Sequence, residues 1–246
     1  GAVGVVNLEG PLAAGAGGAR VEGGRVWLAN PAGAPAFLRA QGVWAASIAN
    51  NHAADDGEAG VARTAAGLRD AGVVPVGRAP ARLDVGGVPV RLFAYDLGGD
   101  AGVPEGMARD LAGVDDVAVV AFHVTGPPSY LPRAELVAAV DAAVAGGADI
   151  VVAHGTHVVG PVERRGETVI AWGLGNLLFD CECTDHTDAL VLRVELTAGR
   201  PAEIVPVTAG LGGAPATLAA EPDGVLDLVA GLGGTPIARV GGRGRF

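Results

Sequence analysis

Apolar residues along this chain fall into two spacings, and the two alternate. Runs of small aliphatic residues occur at 2–7 (AVGVVN), 43–50 (VWAASIAN), 117–123 (VAVVAFH) and 149–154 (DIVVAH). Each is strand-length, and the unbroken run at 117–123 is what a strand covered on both faces requires. Between them lie stretches with helical spacing. In 57–72, Val61, Ala65, Leu68 and Gly72 recur along one face, and Glu58 suits the positive end of the helix dipole. In 133–147, Leu136, Val137, Val140 and Val144 make one face, and Gly146-Gly147 end it. A shorter helix is predicted over 34–42 with Gly42 as its stop, and a late one over 223–232. Segments 81–96 and 161–172 read as hairpins turning at Gly86-Gly87 and at Arg165-Gly166. Two more strands are predicted over 188–196 and 202–207, and the low-complexity stretch 13–19 (AAGAGGA) reads as a surface loop. Strand–helix alternation followed by hairpins predicts an α/β sandwich with mixed sheets. With no internal repeat and no long polar linker, 1–246 reads as one domain.

Half of the 246 residues are hydrophobic, enough for a sizeable core and against disorder. Aromatics make up only 4%, so that core has to be built from Ala, Val and Leu. The net charge of −10 repels phosphate backbones and argues against a nucleic-acid partner. An anionic substrate remains compatible with it if bound cations sit in the site. Cys181 and Cys183 are one residue apart, so no disulfide framework is implied. The longest uncharged apolar stretch, 169–179, contains Asn176 and falls short of the roughly 20 residues that a membrane-spanning helix needs. No basic region followed by an apolar run marks a signal peptide, which favours the cytoplasm.

The chemistry concentrates at the predicted strand ends. Of the histidines, His52 follows the strand at 43–50, His123 ends 117–123, His154 ends 149–154, and His157 comes shortly after. In open α/β sheets, ligands bind where strands finish, so these side chains are expected to gather at one edge. Glu9, in VVNLEGPL just after the first strand, occupies the same kind of position, as does Asn51. Carboxylate and imidazole together suit Zn, Mn and Fe ions. For Asn50-Asn51 the bland alternative is a turn with left-handed backbone, which Asn tolerates well. Asp55 has two readings, orienting a neighbour or capping the helix that starts near Glu58, and capping is the simpler.

Five segments in order, VVNLEGPL, SIANNHAADDGEAG, the strand ending in His123, AHGTHVVGPVE and WGLGNLLFD, resemble the CapA group of poly-γ-glutamate capsule synthesis proteins. That group lies within the calcineurin-like metallophosphoesterases. The resemblance implies a four-layer α/β/β/α sandwich of two mixed sheets with a dinuclear centre between them. It implies that Glu9 bridges two divalent ions (Mn, Fe or Zn), that Asn51, His123 and His154 bind one of them, and that His157 helps bind the other. It implies His52 as the general acid that protonates the leaving group, with Asn50, Asp55 and Asn176 in supporting positions. A metal-bound water, its pKa lowered from ~15.7 towards ~7, would then supply the attacking hydroxide.

Family members usually carry a strand ending in Gly-Asp upstream of the NLE segment, and no counterpart precedes Glu9 here. If the natural protein has none, one ion is expected to bind weakly or not at all. The segment 180–188 (DCECTDHTD) places Cys181, Cys183, Asp185, His186 and Asp188 together, in a spacing that matches no standard zinc motif, and it reads as a loop beside the site. Three functions are compatible with these features. The first is a metal-dependent phosphoesterase acting on an anionic small molecule or polymer. The second is a γ-glutamyl amide hydrolase or transferase, and the third a non-catalytic subunit working with a membrane synthase. The resemblance also admits an extracellular, membrane-associated location, although this chain shows no anchor.

Overall fold

The structure is a computed structural model and describes residues 1–15, 17–98, 102–179 and 186–246. Its first third contains β1 (Gly4–Asn7), a hairpin of β2 (Gly18–Glu22) and β3 (Arg25–Ala29), α1 (Ala34–Ala40), β4 (Val43–Ser47), α2 (Gly57–Asp70) and β5 (Val74–Val76). The middle contains β6 (Ala81–Val85), β7 (Val88–Asp96), α3 (Met107–Leu111), β8 (Val117–His123), α4 (Ala134–Ala145), β9 (Ile150–His154), β10 (Val162–Arg165) and β11 (Thr168–Ala171). After these come β12 (Leu178–Phe179), β13 (Asp188–Val194), β14 (Ala202–Thr208), β15 (Gly210–Leu211), β16 (Thr217–Leu218), α5 (Pro222–Gly231), β17 (Ala238–Val240) and β18 (Arg243–Arg245). The architecture is mixed α/β with several sheets.

One sheet, in the order β1-β4-β5, is parallel throughout. The largest has the order β10-β11-β9-β8-β7-β6, with a parallel centre and antiparallel edges. A third is built on β13, β14, β18 and β17, with β16 joined to β14. Side-chain alternation along β8 explains how the large sheet is covered. Ala118, Val120 and Phe122 face α3 and α4, in a cluster with Met107, Leu136 and Val140. Val117, Val119 and Ala121 face the other way, into a cluster with Ala45 and Val76 of the small parallel sheet. Leu68 of α2 and Leu38 of α1 cover the opposite side of that small sheet.

Two expectations change. The stretch 13–19 is not all loop, because Gly18 and Ala19 begin β2 and pair with Ala29 and Leu28 of β3. Composition hid this strand because every residue of β2 is exposed, leaving no apolar period to read. Asn50 and Asn51 do open a turn, with the Ala53 N–H bonded to Asn50 O, but neither has the left-handed backbone expected of that reading.

Candidate metal centre

The strand ends meet as expected, and their register shows why. In the parallel ladder, Asp96 of β7 lies beside His123 of β8, which lies beside His154 of β9. His123 shares parity with Val117, Val119 and Ala121, and His154 with Ile150 and Val152. Both imidazoles therefore face away from α4, on the side of the small sheet. Glu9 follows β1, and Asn50, Asn51 and His52 follow β4, at the same edge of the neighbouring sheet.

His123, 1% exposed, is the centre of a relay. Its Nε2 lies 2.7 Å from Asn51 Oδ1 and 4.0 Å from Glu9 Oε1, and its Nδ1 lies 2.9 Å from His154 Nδ1. Burial, helped by the other imidazoles, pushes the His123 pKa down to about 2, and burial alone pushes His154 down to about 3. Both rings are neutral, so each has one N–H and one lone pair. The Asn51 oxygen can only accept, so His123 Nε2 carries the hydrogen. His123 Nδ1 then accepts from His154 Nδ1–H. This leaves His154 Nε2 with a lone pair, buried and without a partner among the described residues. Gly155 is what lets the chain turn over this pair. Its φ is +85°, and a Cβ there would lie 2.4 Å from Val124 O and 2.8 Å from His123 Cε1.

His157 sits opposite, on a left-handed backbone with φ of 59°, uncommon for a residue with a side chain. Its Nδ1 is 3.0 Å from Asn176 Oδ1, and its ring meets Phe179 edge-on. The amide oxygen fixes the hydrogen on Nδ1 and leaves Nε2 as the donor nitrogen, the usual way a ligating histidine is oriented. Burial raises the Glu9 pKa, and the neighbouring His157 and His52 oppose that rise.

His52 is tied to Asp55, whose Oδ2 is 2.7 Å from His52 Nδ1. Asp55 also accepts from the Leu28 backbone N–H at 2.8 Å and from Arg25 at 3.1 Å. It does not cap α2. The N-cap position is Asp56, and no side-chain cap bond forms there. The orienting reading of Asp55 therefore replaces the capping one. Asn50 is structural: its side-chain amide donates to Asn7 Oδ1 and Leu8 O, closing β1 against β4 just ahead of Glu9.

Three contributors escaped the sequence reading. Asp96 ends β7 on the same face as the histidines, and its parity with Val90, Leu92 and Ala94 could have revealed it. Asn30 clamps the backbone carbonyls of Glu9 and Gly10, both at 2.9 Å. Arg133 braces the loop after His123 by donating to Thr125 O and Pro127 O. Of the 180–188 segment, Cys181, Cys183 and Asp185 lie outside the described residues. His186 and Asp188 line a cavity of about 170 Å³ with Tyr130, Val158, Val159 and Thr187.

Among the described residues, no three His, Cys, Asp or Glu side chains already surround one point. Asn51, His123 and His154 instead hydrogen-bond one another, and His157 bonds Asn176. Two observations fit a divalent ion. The donor set is neutral imidazole, amide oxygen and carboxylate, and His154 presents a buried lone pair that nothing among the described residues satisfies.

The fold and this edge define a mixed α/β protein with a histidine, asparagine and carboxylate cluster where its parallel strands end. The chain belongs to the family described as bacterial capsule synthesis protein PGA_cap, which matches residues 2–181. That is the CapA family, within the metallophosphoesterase-like superfamily. No curated protein matches the chain. Among solved structures it is similar to a hypothetical protein from Thermus thermophilus, at 18% identity, covering 74% of this chain and 76% of that one, with a TM-score of 0.46. It is also similar to Vps29 complexed with zinc from Entamoeba histolytica, at 12% identity, covering 83% and 90%, with a TM-score of 0.34.

Proposed function

We propose that this chain is a metal-dependent phosphoesterase acting on an anionic substrate. The observation that carries the reading is the buried, unpartnered lone pair of His154 Nε2 at the end of the Asn51–His123–His154 relay. In this reading Asn51, His123, His154 and Glu9 would hold a divalent ion, and His157, oriented by Asn176, would help Glu9 hold a second. The four-layer α/β/β/α arrangement, with one helix-covered sheet facing another, belongs to the same reading. So do a single domain over the whole chain and Mn, Fe or Zn as the ions. Bound there, the ions supply positive charge to the phosphoryl oxygens and lower the pKa of water.

The protein's own groups do the rest. Burial keeps both rings, His123 and His154, neutral. His154 would offer its Nε2 lone pair directly, while His123 would have to exchange its bond to Asn51 or to His154 to become a ligand. The bond from His52 Nδ1 to Asp55 fixes the ring and leaves Nε2 to deliver a proton to the departing oxygen. The exposed rim residue Asp96 and the Arg133-braced loop border the entry to the same edge.

Membership in a capsule synthesis family favours a second reading, cleavage or transfer at a γ-glutamyl amide. The same polarising charge and the same acid would serve that bond. A membrane synthase partner would belong instead to a non-catalytic subunit; among the described residues, no helix is long and apolar enough to cross a membrane.

The test is a panel of phosphate mono- and diesters beside γ-glutamyl peptides, with protein loaded with Mn, Fe or Zn in turn. Turnover of esters alone is expected. Turnover of the peptides alone would move the assignment to amide chemistry, and retention of full metal content by His154→Ala and His157→Ala would remove the metal centre from it.

A further inference from the structure

On packing grounds the β2–β3 hairpin has little reason to exist. Every residue of β2 is exposed, and no β2 or β3 side chain joins a core cluster. Yet β3 and the residue after it touch both sides of the site. Asn30 holds the backbone of Glu9 and Gly10, and Gly10, at φ of +86°, lies so close to β3 that a Cβ would be 2.7 Å from Leu28 Cβ. On the other side, the Leu28 N–H and the Arg25 guanidinium donate to the two oxygens of Asp55. The Asp55 side chain is 2% exposed while that of Arg25 is 59% exposed. Arg25 is held over Trp27, 4.0 Å from the ring centroid. A carboxylate this buried needs its donors, and two of the three come from the hairpin. The third is His52 Nδ1–H.

We propose that the β2–β3 hairpin is the positioning arm of the leaving-group acid. Arg25, stacked on Trp27, and the Leu28 amide fix the two oxygens of Asp55, and Asp55 fixes the ring of His52. The proposal deepens the phosphoesterase reading and rests on it for the role of His52. The terminal torsion of an aspartate is broad, so a carboxylate held through one oxygen turns, and the imidazole bonded to it turns with it. Arg25 and Asp55 are positioning residues in this arrangement, and only His52 meets the substrate.

Arg20 provides the control. It sits on the same hairpin and lies 5.2 Å from the same Trp27 ring, but its ion pair is with Glu22. Metal-loaded full chain, Arg25→Ala, Arg25→Lys and Arg20→Ala are compared by two measurements. The first is the downfield proton NMR signal of the hydrogen-bonded His52 Nδ1–H, assigned by its loss in His52→Gln. The second is hydrolysis of an alkyl phosphate and of p-nitrophenyl phosphate, whose leaving groups need much and little protonation. Arg25→Ala is expected to broaden or abolish the signal. It should lower kcat on the alkyl ester by about 10-fold, with a smaller loss on the nitrophenyl ester and KM nearly constant. Arg25→Lys restores part of both, and Arg20→Ala matches the wild type. If Arg25→Ala leaves signal and rates like those of Arg20→Ala, the proposal is overturned. If the wild type hydrolyses neither ester, the phosphoesterase reading fails, and the NMR comparison still decides the hairpin: loss of the signal in Arg25→Ala supports it, retention overturns it.

Discussion

The two sides of the site are held in opposite ways. His123 and His154 stand at the ends of β8 and β9, strands buried on both faces, and their positions follow from a parallel register that the core maintains. His52 stands on a loop and owes its orientation to Asp55, which is held by a hairpin that contributes no side chain to the core clusters. Apolar burial places one side, and polar contacts at the surface place the other. Groups that must bind an ion in fixed geometry gain from the stiff support, because a misplaced ligand costs affinity directly. In the proposed function His52 would follow a leaving group, and a polar brace on a surface hairpin holds it without embedding it in the core.

The difference can be tested by breaking each side separately. The largest effect is expected from His123→Ala or His154→Ala, which should lower metal affinity by more than about 100-fold, since even the partners of metal ligands are worth about 10–100-fold. Titration of the metal-free protein with Zn or Mn measures it, and activity should fall in parallel. On the other side, Asp55→Asn should leave metal content unchanged and cut kcat by about 100-fold on substrates with poor leaving groups, as steady-state rates on the alkyl ester would show. An equal loss of metal in Asp55→Asn would erase the distinction between the sides.

Gly155→Ala comes next. It asks a residue with a Cβ to adopt φ of +85° and to share space with the His123 ring. Destabilisation of about 1–3 kcal/mol is expected, with weaker metal binding, read by urea unfolding with and without metal. The last test varies pH in the metal-free protein. The pKa values of His123 and His154 are depressed in the folded state, so their unfolded forms take up protons below about pH 6.5 while the folded forms do not until about pH 2 and about pH 3, respectively. Stability contributed by keeping them neutral is complete above about pH 6.5. It falls as the pH drops towards those values, by up to about 1.4 kcal/mol per pH unit for each group. Unfolding curves between about pH 7.5 and about pH 4.5 should show this slope, and His154→Ala should reduce it.

The stiff side was legible in the sequence and the braced side was not. His123 and His154 end unbroken aliphatic runs, and a strand that terminates in a histidine announces both its face and its edge. Asn51 and Glu9 came with the same rule. Asp55 could be read either as orienting a neighbour or as capping a helix start, and because capping is the common role nothing local singled out its bond to His52. Its partners Arg25 and Leu28 are far from it in sequence on a strand with no apolar period, so no spacing rule connects them. Asp96 was missed because it read only as the last residue of the 81–96 hairpin. It accepts a bond from the Gly98 N–H, and its register places it beside His123.

Metal content per chain is the most direct measurement, made by elemental analysis of protein purified without chelator or affinity metal and then equilibrated with Mn, Fe or Zn. One to two ions per chain, lost in His123→Ala and His154→Ala and retained in Asp55→Asn, is the expected result. A wild type that takes up no more metal than those two alanine variants would contradict it and would leave the buried lone pair of His154 without the ion that explains it.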